Sequence, residues 1–322
     1  MGSLEELARE KFGELSAAEE RVVRNAPNGT EADCSDLGGG DDPAKADTWP
    51  EARNVRAELT RWLCVDSAAR ELVDPHGVQI RGARITGELD LSFTNVLFPL
   101  ALLSCRVEQA LILQGAKMPL LSLEGSWTGA IDADGLKLEG DIVLRNGFHA
   151  EGEVELPGAT IGGNLDAEAG TFKNPNGNAL TADRIKVTGD ILLRNGFRAE
   201  GEVRLLSATI GGSLSAVCGT FKNCNGKALS ADRIKVTGSV FLRDGFHAEG
   251  EVRLLGATIG SNLDARGGTF KKPSGNALNP DGTKNETALN AERINVTGNI
   301  LLSNSSLPRE KCGSPAQKSR GC

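Results

Sequence analysis

The segment Ala182-Asp-Arg-Ile-Lys-Val-Thr-Gly-Asp-Ile-Leu-Leu-Arg194 recurs at an offset of 49 as Ala231-Asp-Arg-Ile-Lys-Val-Thr-Gly-Ser-Val-Phe-Leu-Arg243. An earlier partial copy begins at Gly140-Asp-Ile-Val-Leu-Arg145. A later one, Ala291-Glu-Arg-Ile-Asn-Val-Thr-Gly-Asn-Ile-Leu-Leu302, follows an 11-residue insertion around Asn279-Pro-Asp-Gly282. Near-identical copies at one fixed spacing restrict a chain to architectures in which each unit packs on its neighbours.

A finer period lies inside the large one. Gly140, Gly152 and Gly163 are 12 and 11 apart, and Gly189, Gly201 and Gly212 repeat that spacing. In the less regular region before them, Ile85, Val96, Val107 and Met118 fall at intervals of 11. Within each unit apolar residues alternate, as in Ile191/Leu193 and Val203/Leu205, which is the period of a strand with one buried face. Two 11-residue units make a coil of roughly 22 residues, enough to circle a small solenoid and return one strand spacing, about 4.8 Å, higher. Two coils plus a five-residue excess give the 49-residue repeat. The loop Phe172-Lys-Asn-Pro-Asn-Gly177, repeated at Phe221–Gly226, accommodates that excess. Residues 76–302 therefore read as an all-β, right-handed parallel β-helix (solenoid) of about ten coils, the hand following from parallel crossovers. Neither 11 nor 49 is a multiple of five, which excludes a strict pentapeptide-repeat helix. An antiparallel sandwich fits near-identical stacked copies less well.

The ends differ from the body. Ser3-x-x-Glu6 and Ser16-x-x-Glu19 are capping-box patterns and predict helices within residues 1–26. Residues 27–48, rich in Gly, Asp and Asn, read as a flexible acidic linker. Residues 49–75 read as an N-terminal α-helical cap. Pro50 is placed in the first turn of a helix over 50–64, and Val55, Leu59, Trp62 and Leu63 form its apolar face. A shorter helix is predicted over Ser67–Val73. Such a cap would cover the open strand edge of the first coil, with Trp62 as packing and not a ligand platform. Residues 303–322 read as a disordered polar tail of net charge +3. With no helical cap visible there, the last coil, around Ile300 and Leu302, is the candidate stacking end.

Charge is unevenly spread. Residues 1–50 carry 12 acidic and 5 basic side chains, which accounts for the whole net charge of −7; the rest of the chain carries 31 of each sign. No bulk basic character points to nucleic acid, although a local patch can hide in a neutral sum. No apolar run is long enough for a membrane-spanning helix, which takes roughly 18 residues or more. The N-terminus lacks the apolar region of a secretory signal. The seven cysteines show no CxxC and no zinc-ligand spacing. They read as free thiols of a cytoplasmic protein.

Three charged ladders recur at fixed repeat positions: Arg145, Arg194 and Arg243; Glu153, Glu202 and Glu251; Lys173, Lys222 and Lys271. Equivalent charges two coils apart lie roughly 10 Å from one another. They read either as a solvated outer face or as a periodic surface for an extended partner. His149 and His247 share a position that holds Arg198 in the copy between them, and so read as exposed polar slots. Asp166 and Asp264 share a position occupied by Ser215, which argues against a paired-carboxylate glycosidase. Gly38-Gly39-Gly40 follows no strand, and no phosphate-binding glycine loop or GxSxG elbow occurs. No catalytic residue, metal ligand or cofactor site stands out from the repeats.

Segments such as Asp232-Arg-Ile-Lys-Val-Thr-Gly238, Leu242–Gly260, Gly267-Gly-Thr-Phe270, Ala57–Cys64 and Gly82–Leu91 are similar to a family of bacterial β-solenoid repeat proteins. Some members carry the label "membrane-associated oxidoreductase". The resemblance covers nearly all of residues 50–302, and it implies the solenoid fold. The Ile-x-Val-x-Gly-x-Ile rhythm is also loosely similar to bactofilins, which polymerise end to end, and to pentapeptide-like solenoids. Three functions follow as expectations. The first is a non-enzymatic scaffold that presents charged faces to a protein partner, with neither nucleic acid nor membrane insertion involved. The second is a bactofilin-like element that self-associates through its ends. The third is a polysaccharide-acting enzyme with its site in the less repetitive stretch 84–135.

Overall fold

The computed structural model describes residues 2–271 and 288–303. The chain is a parallel β-solenoid preceded by short helices. Each coil has four strand positions, in chain order here called faces 1 to 4. Face 1 runs through ten strands from Val78–Arg81 to Ile300–Leu301, and Ala32–Asp33 completes its 11-stranded sheet. Faces 2 and 3 share a 15-stranded sheet, because strands such as Thr171–Thr181 and Arg198–Arg204 continue from one face onto the next. Face 4 is an eight-stranded sheet from Lys117–Met118 to Asn295–Val296. Eight turns thus carry a strand on every face. The first turn reaches face 4 only through an isolated bridge, Asn95 to Lys117, and the chain begins a further turn at Ile300. Of the roughly ten coils that the sequence periods imply, the first and last are incomplete.

The 49-residue repeat is two unequal coils. His149 pairs in register with Thr171, and Thr171 with Arg198, sequence steps of 22 and 27. Arg198 pairs with Thr220, and Thr220 with His247, which repeats the same two steps. The excess leaves the ladder between Lys173 and Asn178, and again between Lys222 and Lys227, as expected. The side-chain amides of Asn174 and Asn223 tie these loops by donating to the carbonyls of Asn178 and Lys227, both at 2.9 Å.

The interior is built from stacks of like residues. Leu121, Ile142, Leu165, Ile191, Leu214, Val240 and Leu263 follow one another in register and are buried. Six of the ten phenylalanines form one continuous internal stack, Phe148–Phe172–Phe197–Phe221–Phe246–Phe270, with centroids 5.1 to 5.3 Å apart. Each buried ring or aliphatic side chain contributes about 1.5–3 kcal/mol, but only when a neighbouring coil covers it.

Both capping boxes form. Ser3 and Glu6 close the N-terminus of α1 (Leu4–Phe12), and Ser16 and Glu19 that of α2 (Ala17–Asn25). Residues 27–48 depart from the linker expected of them. Strand β1 (Ala32–Asp33) pairs with Ile80–Arg81 and extends face 1. The cause is a long-range clamp that composition does not reveal. Buried Arg53 donates to the carbonyls of Gly82 (2.6 Å), Gly38 (2.8 Å) and Gly40 (2.5 Å), and its guanidinium lies 3.7 Å over the Trp49 ring. The helix expected over 50–64 is also divided. Glu51–Arg53 is a single 3-10 turn, strand β2 (Asn54–Arg56) pairs with Arg84–Thr86 on face 2, and α3 spans Ala57–Val65. Val55 is drawn into the sheet because it meets Ile85 in register. Leu59, Trp62 and Leu63 keep their buried roles, and Trp62 packs edge-on against Phe12. α4 (Ser67–Arg70), capped by Asp66, stands where the shorter helix was expected. The first coil is thus covered by β1 on face 1, by β2 on face 2 and by α3 against Leu89–Asp90.

Cys34, Cys64 and Cys105 are free and buried. Cys218 and Cys224 depart from the free thiols expected of the sequence and are disulfide-bonded. Both lie half-buried at the coil surface, where a sulfur can meet another. The tail 304–322 lies outside the described residues.

Candidate interaction face

The three ladders read from the sequence sit where the repeat places them, but neighbouring coils supply opposite charges. On face 2 the register column runs Glu151, Lys173, Glu200, Lys222, Glu249, Lys271, alternating in sign at every coil. Lys173 pairs with Glu151 at 3.0 Å, and Lys222 and Lys271 pair with Glu249 at 3.8 and 3.0 Å. The arginines behave alike. Arg145 bridges Glu124 and Asp166, Arg194 meets Glu168, and Arg243 meets Asp244 and Asp264. Asp264 also holds Arg266 at 2.7 Å, so both aspartates of the repeat position are in ion pairs. The hydrogen bond to Asp166 raises the Arg145 pKa, and that of Glu168 falls because Asn195 and Arg194 outweigh its burial. Glu153 accepts from Asn178 and Thr181, and Glu202 from Ser230. Glu251 is buried and lies opposite Lys227 in register. These columns bind coil to coil.

His149 and His247 are not exposed slots. Both are half-buried, 3.0 Å from Glu151 and 3.2 Å from Glu249 respectively, and His149 stacks on Trp127 with centroids 3.8 Å apart. Ile300 and Leu302 are exposed, at 50% and 63%.

Face 4 differs from the paired columns. Strict alternation buries Met118, Leu138, Ile161, Val187, Ile210, Val236 and Ile259. It turns outward, in register, Lys117, Lys137, Thr160, Lys186, Thr209, Lys235, Thr258 and Asn295, all exposed. The next outward column alternates glycine and threonine through Gly162, Thr188, Gly211, Thr237 and Gly260. These glycines are required by space. A Cβ at Gly162, Gly211 or Gly260 would lie 2.0, 2.2 or 2.3 Å from the carbonyl oxygen of Glu139, Thr188 or Thr237 on the coil before. One coil of each pair therefore presents Lys and Thr, and the other Thr and bare backbone.

Arg184, Arg233 and Arg293 stand exposed at the corner two residues before the strands of face 4. Adjacent acids are engaged elsewhere. Asp183 holds Arg204 at 2.6 Å and caps the Leu206 amide; Asp232 holds Arg253 at 2.7 Å and caps the Leu255 amide. At the opposite corner, Asp141 and Asp190 accept from the amides of Asn164 and Ser213. Among the described residues, no ion pair reaches Lys117, Lys137, Lys186, Lys235, Arg184 or Arg233. At the N-terminal end of the face, a cleft of about 310 Å³ lies over Leu97, Lys117, Lys137 and Glu139.

Sequence reasoning misses this column. Its signal is present, since Lys186 and Lys235 hold the same place in the repeated Arg-Ile-Lys-Val-Thr-Gly. What distinguishes it from the other ladders is the absence of acidic residues in register, and that depends on the coil offset. Among the described residues no group of three His, Cys, Asp or Glu is placed to hold a metal ion, and no helix is long and apolar enough to cross a membrane. No protein-family model, curated protein or solved structure matches this chain.

Proposed function

We propose that this chain is a non-enzymatic β-solenoid binding protein that presents face 4, its lysine column and arginine corner, to an extended anionic partner. The exposed Lys117/Lys137/Lys186/Lys235 column supports this reading, because among the described residues no ion pair reaches it and no acid stands in its register, unlike the ladders of the other faces. Electrostatic complementarity of this kind governs encounter and register more than raw affinity. The test is retention of the full chain on immobilised polyanions of several chemistries, compared with a Lys186→Glu/Lys235→Glu variant. Binding lost in that variant but kept in Lys173→Glu/Lys222→Glu supports the reading. No retention on any polyanion, or equal loss in both variants, overturns it.

A second reading is end-to-end self-association, motivated by the exposed Ile300 and Leu302 at the last described strand. Unpaired strand edges are ready templates for another chain. Sedimentation velocity over a hundredfold concentration range under reducing conditions tests it. Growth of dimers and longer species that Ile300→Asp abolishes supports stacking, and a monomer throughout overturns it.

A further inference from the structure

We infer that the partner of face 4 is an acidic polysaccharide with a disaccharide repeat bearing one carboxylate, lying along the solenoid axis. This deepens the proposed function and rests on it. Coils advance by about 4.8 Å, a rise comparable with the length of one extended pyranose ring, so each coil meets one sugar. From Thr160 to Thr258 the face itself repeats every two coils, and Asn295 takes the next lysine place. Lys186 with Thr188, and Lys235 with Thr237, alternate with Thr160/Gly162, Thr209/Gly211 and Thr258/Gly260. A carboxylate on every second sugar would fall at Lys186 and Lys235, roughly 10 Å apart. The intervening sugars would meet threonine hydroxyls and the open floor left by glycine. Arg184 and Arg233 flank the same lysines, so each carboxylate site has two cations available.

The N-terminal end of the face differs. Lys117 and Lys137 are direct register partners, and like charges placed opposite each other on neighbouring strands are destabilising. The adjoining cleft holds the carboxylate of Glu139 beside them, so the carboxylate sites are assigned to Lys186 and Lys235 and not to this end. Nucleic acid fits less well. A duplex strand carries a phosphate every ~3.4 Å, about a third of the lysine spacing. Single strands are held largely by aromatic stacking, and the outward columns of face 4 contain no ring. A planar lipid surface has no period to match.

The experiment is biolayer interferometry of the full chain against four immobilised probes. These are hyaluronate (alternating uronate and neutral sugar), uncharged dextran, double-stranded DNA, and vesicles containing phosphatidylserine. Hyaluronate is expected to bind most tightly. Lys186→Gln/Lys235→Gln should weaken it by about 10-fold or more, equivalent to about 1.4 kcal/mol, while Lys173→Gln/Lys222→Gln changes it less than about twofold. Circular dichroism should show both variants folded, since the replaced side chains lie on the coil surface. Tighter binding to DNA or vesicles, lost in the same variant, overturns the polysaccharide assignment and leaves the binding face standing. Equal binding to dextran, or hyaluronate binding indifferent to Lys186 and Lys235, overturns the assignment as well. No retention on any charged probe overturns both.

Discussion

Phe172 stacks on Phe197 at 5.3 Å, although the residue opposite Phe172 in strand register is Ala199. The two rings reach one another from different positions. Phe197 enters from the corner of its coil, and Phe172 from the strand. The coils therefore alternate two patterns, Phe-x-Ala (Phe148/Ala150, Phe197/Ala199, Phe246/Ala248) and Gly-x-Phe (Gly170/Phe172, Gly219/Phe221, Gly268/Phe270). A Cβ at Gly170 would lie 2.6 Å from the carbonyl oxygen of Leu144 and 3.1 Å from the Phe172 ring. The small residue of each coil leaves room for the large one of the next.

Phe197→Ala should lower stability by about 3–5 kcal/mol, because the surrounding rings cannot collapse into the gap. Ala199→Phe at the adjoining position should also destabilise, by about 1–3 kcal/mol, through overpacking between Phe172 and Phe221. Urea unfolding followed by far-ultraviolet circular dichroism measures both. A neutral Ala199→Phe would contradict the alternation.

Gly211→Ala should destabilise without any change of charge or any positive φ to explain it, since the new methyl would meet the Thr188 carbonyl at 2.2 Å. Thr209 is exposed on the same strand. Thr209→Ala should therefore cost no more than about 0.5 kcal/mol, the usual scale for a surface substitution. The difference in thermal midpoint between the two variants checks the close backbone approach beneath face 4.

Acid should loosen the N-terminal cap. Burial pushes the Glu19 carboxyl up from its ordinary 4.5, but hydrogen bonds from the side chain and backbone of Arg56 and from the backbone of Ser16 outweigh it and hold the pKa below that value. A depressed folded pKa contributes stability that is fully present above about 4.5 and is lost as pH falls through the lower folded value. Glu19→Gln should lower stability by about 1–3 kcal/mol at neutral pH, since Arg56 loses a partner that is 2.7 Å away. It should also flatten the fall in stability below pH 4.5. Chemical denaturation repeated from pH 7 to pH 3 gives both quantities.

The buried thiols should be inert in the folded protein. Burial raises Cys34 to about 11, and Cys64 and Cys105 to about 12. The thiolate, which is the reactive form, is therefore scarce at pH 8. Reaction with a chromogenic disulfide reagent should leave these three unmodified until denaturant is added. Peptide mapping after alkylation identifies them, and modification of Cys64 in the native state would contradict its burial.

Stacking made most of the fold legible. Each coil repeats its inward residues one turn later, so the periods of 11 and 49, the five-residue excess and the interior side chains could be read from the sequence. Contacts made once were not legible. The Arg53 clamp on Gly38, Gly40 and Gly82 orders a segment whose composition resembles a linker, and a single guanidinium leaves no periodic trace. The charged ladders were legible as positions but not as pairs. Whether Lys173 faces Glu151, or Lys186 faces only Thr160 and Thr209, depends on coil offsets, which vary between 22 and 27 among these pairings.

The two-coil alternation also fixes the step by which such a chain can change length. Deleting residues 198–246, one full repeat, would set Ala248 where Ala199 stood and keep Phe197 against Phe172, Glu249 against Lys173, and lysine alternating with threonine along face 4. Deleting 198–219, a single coil, would bring Phe221 directly opposite Phe172. Duplication and loss in the gene would then be tolerated in whole pairs, and a lineage of such proteins should differ in length by multiples of the longer unit, with odd half-steps selected against.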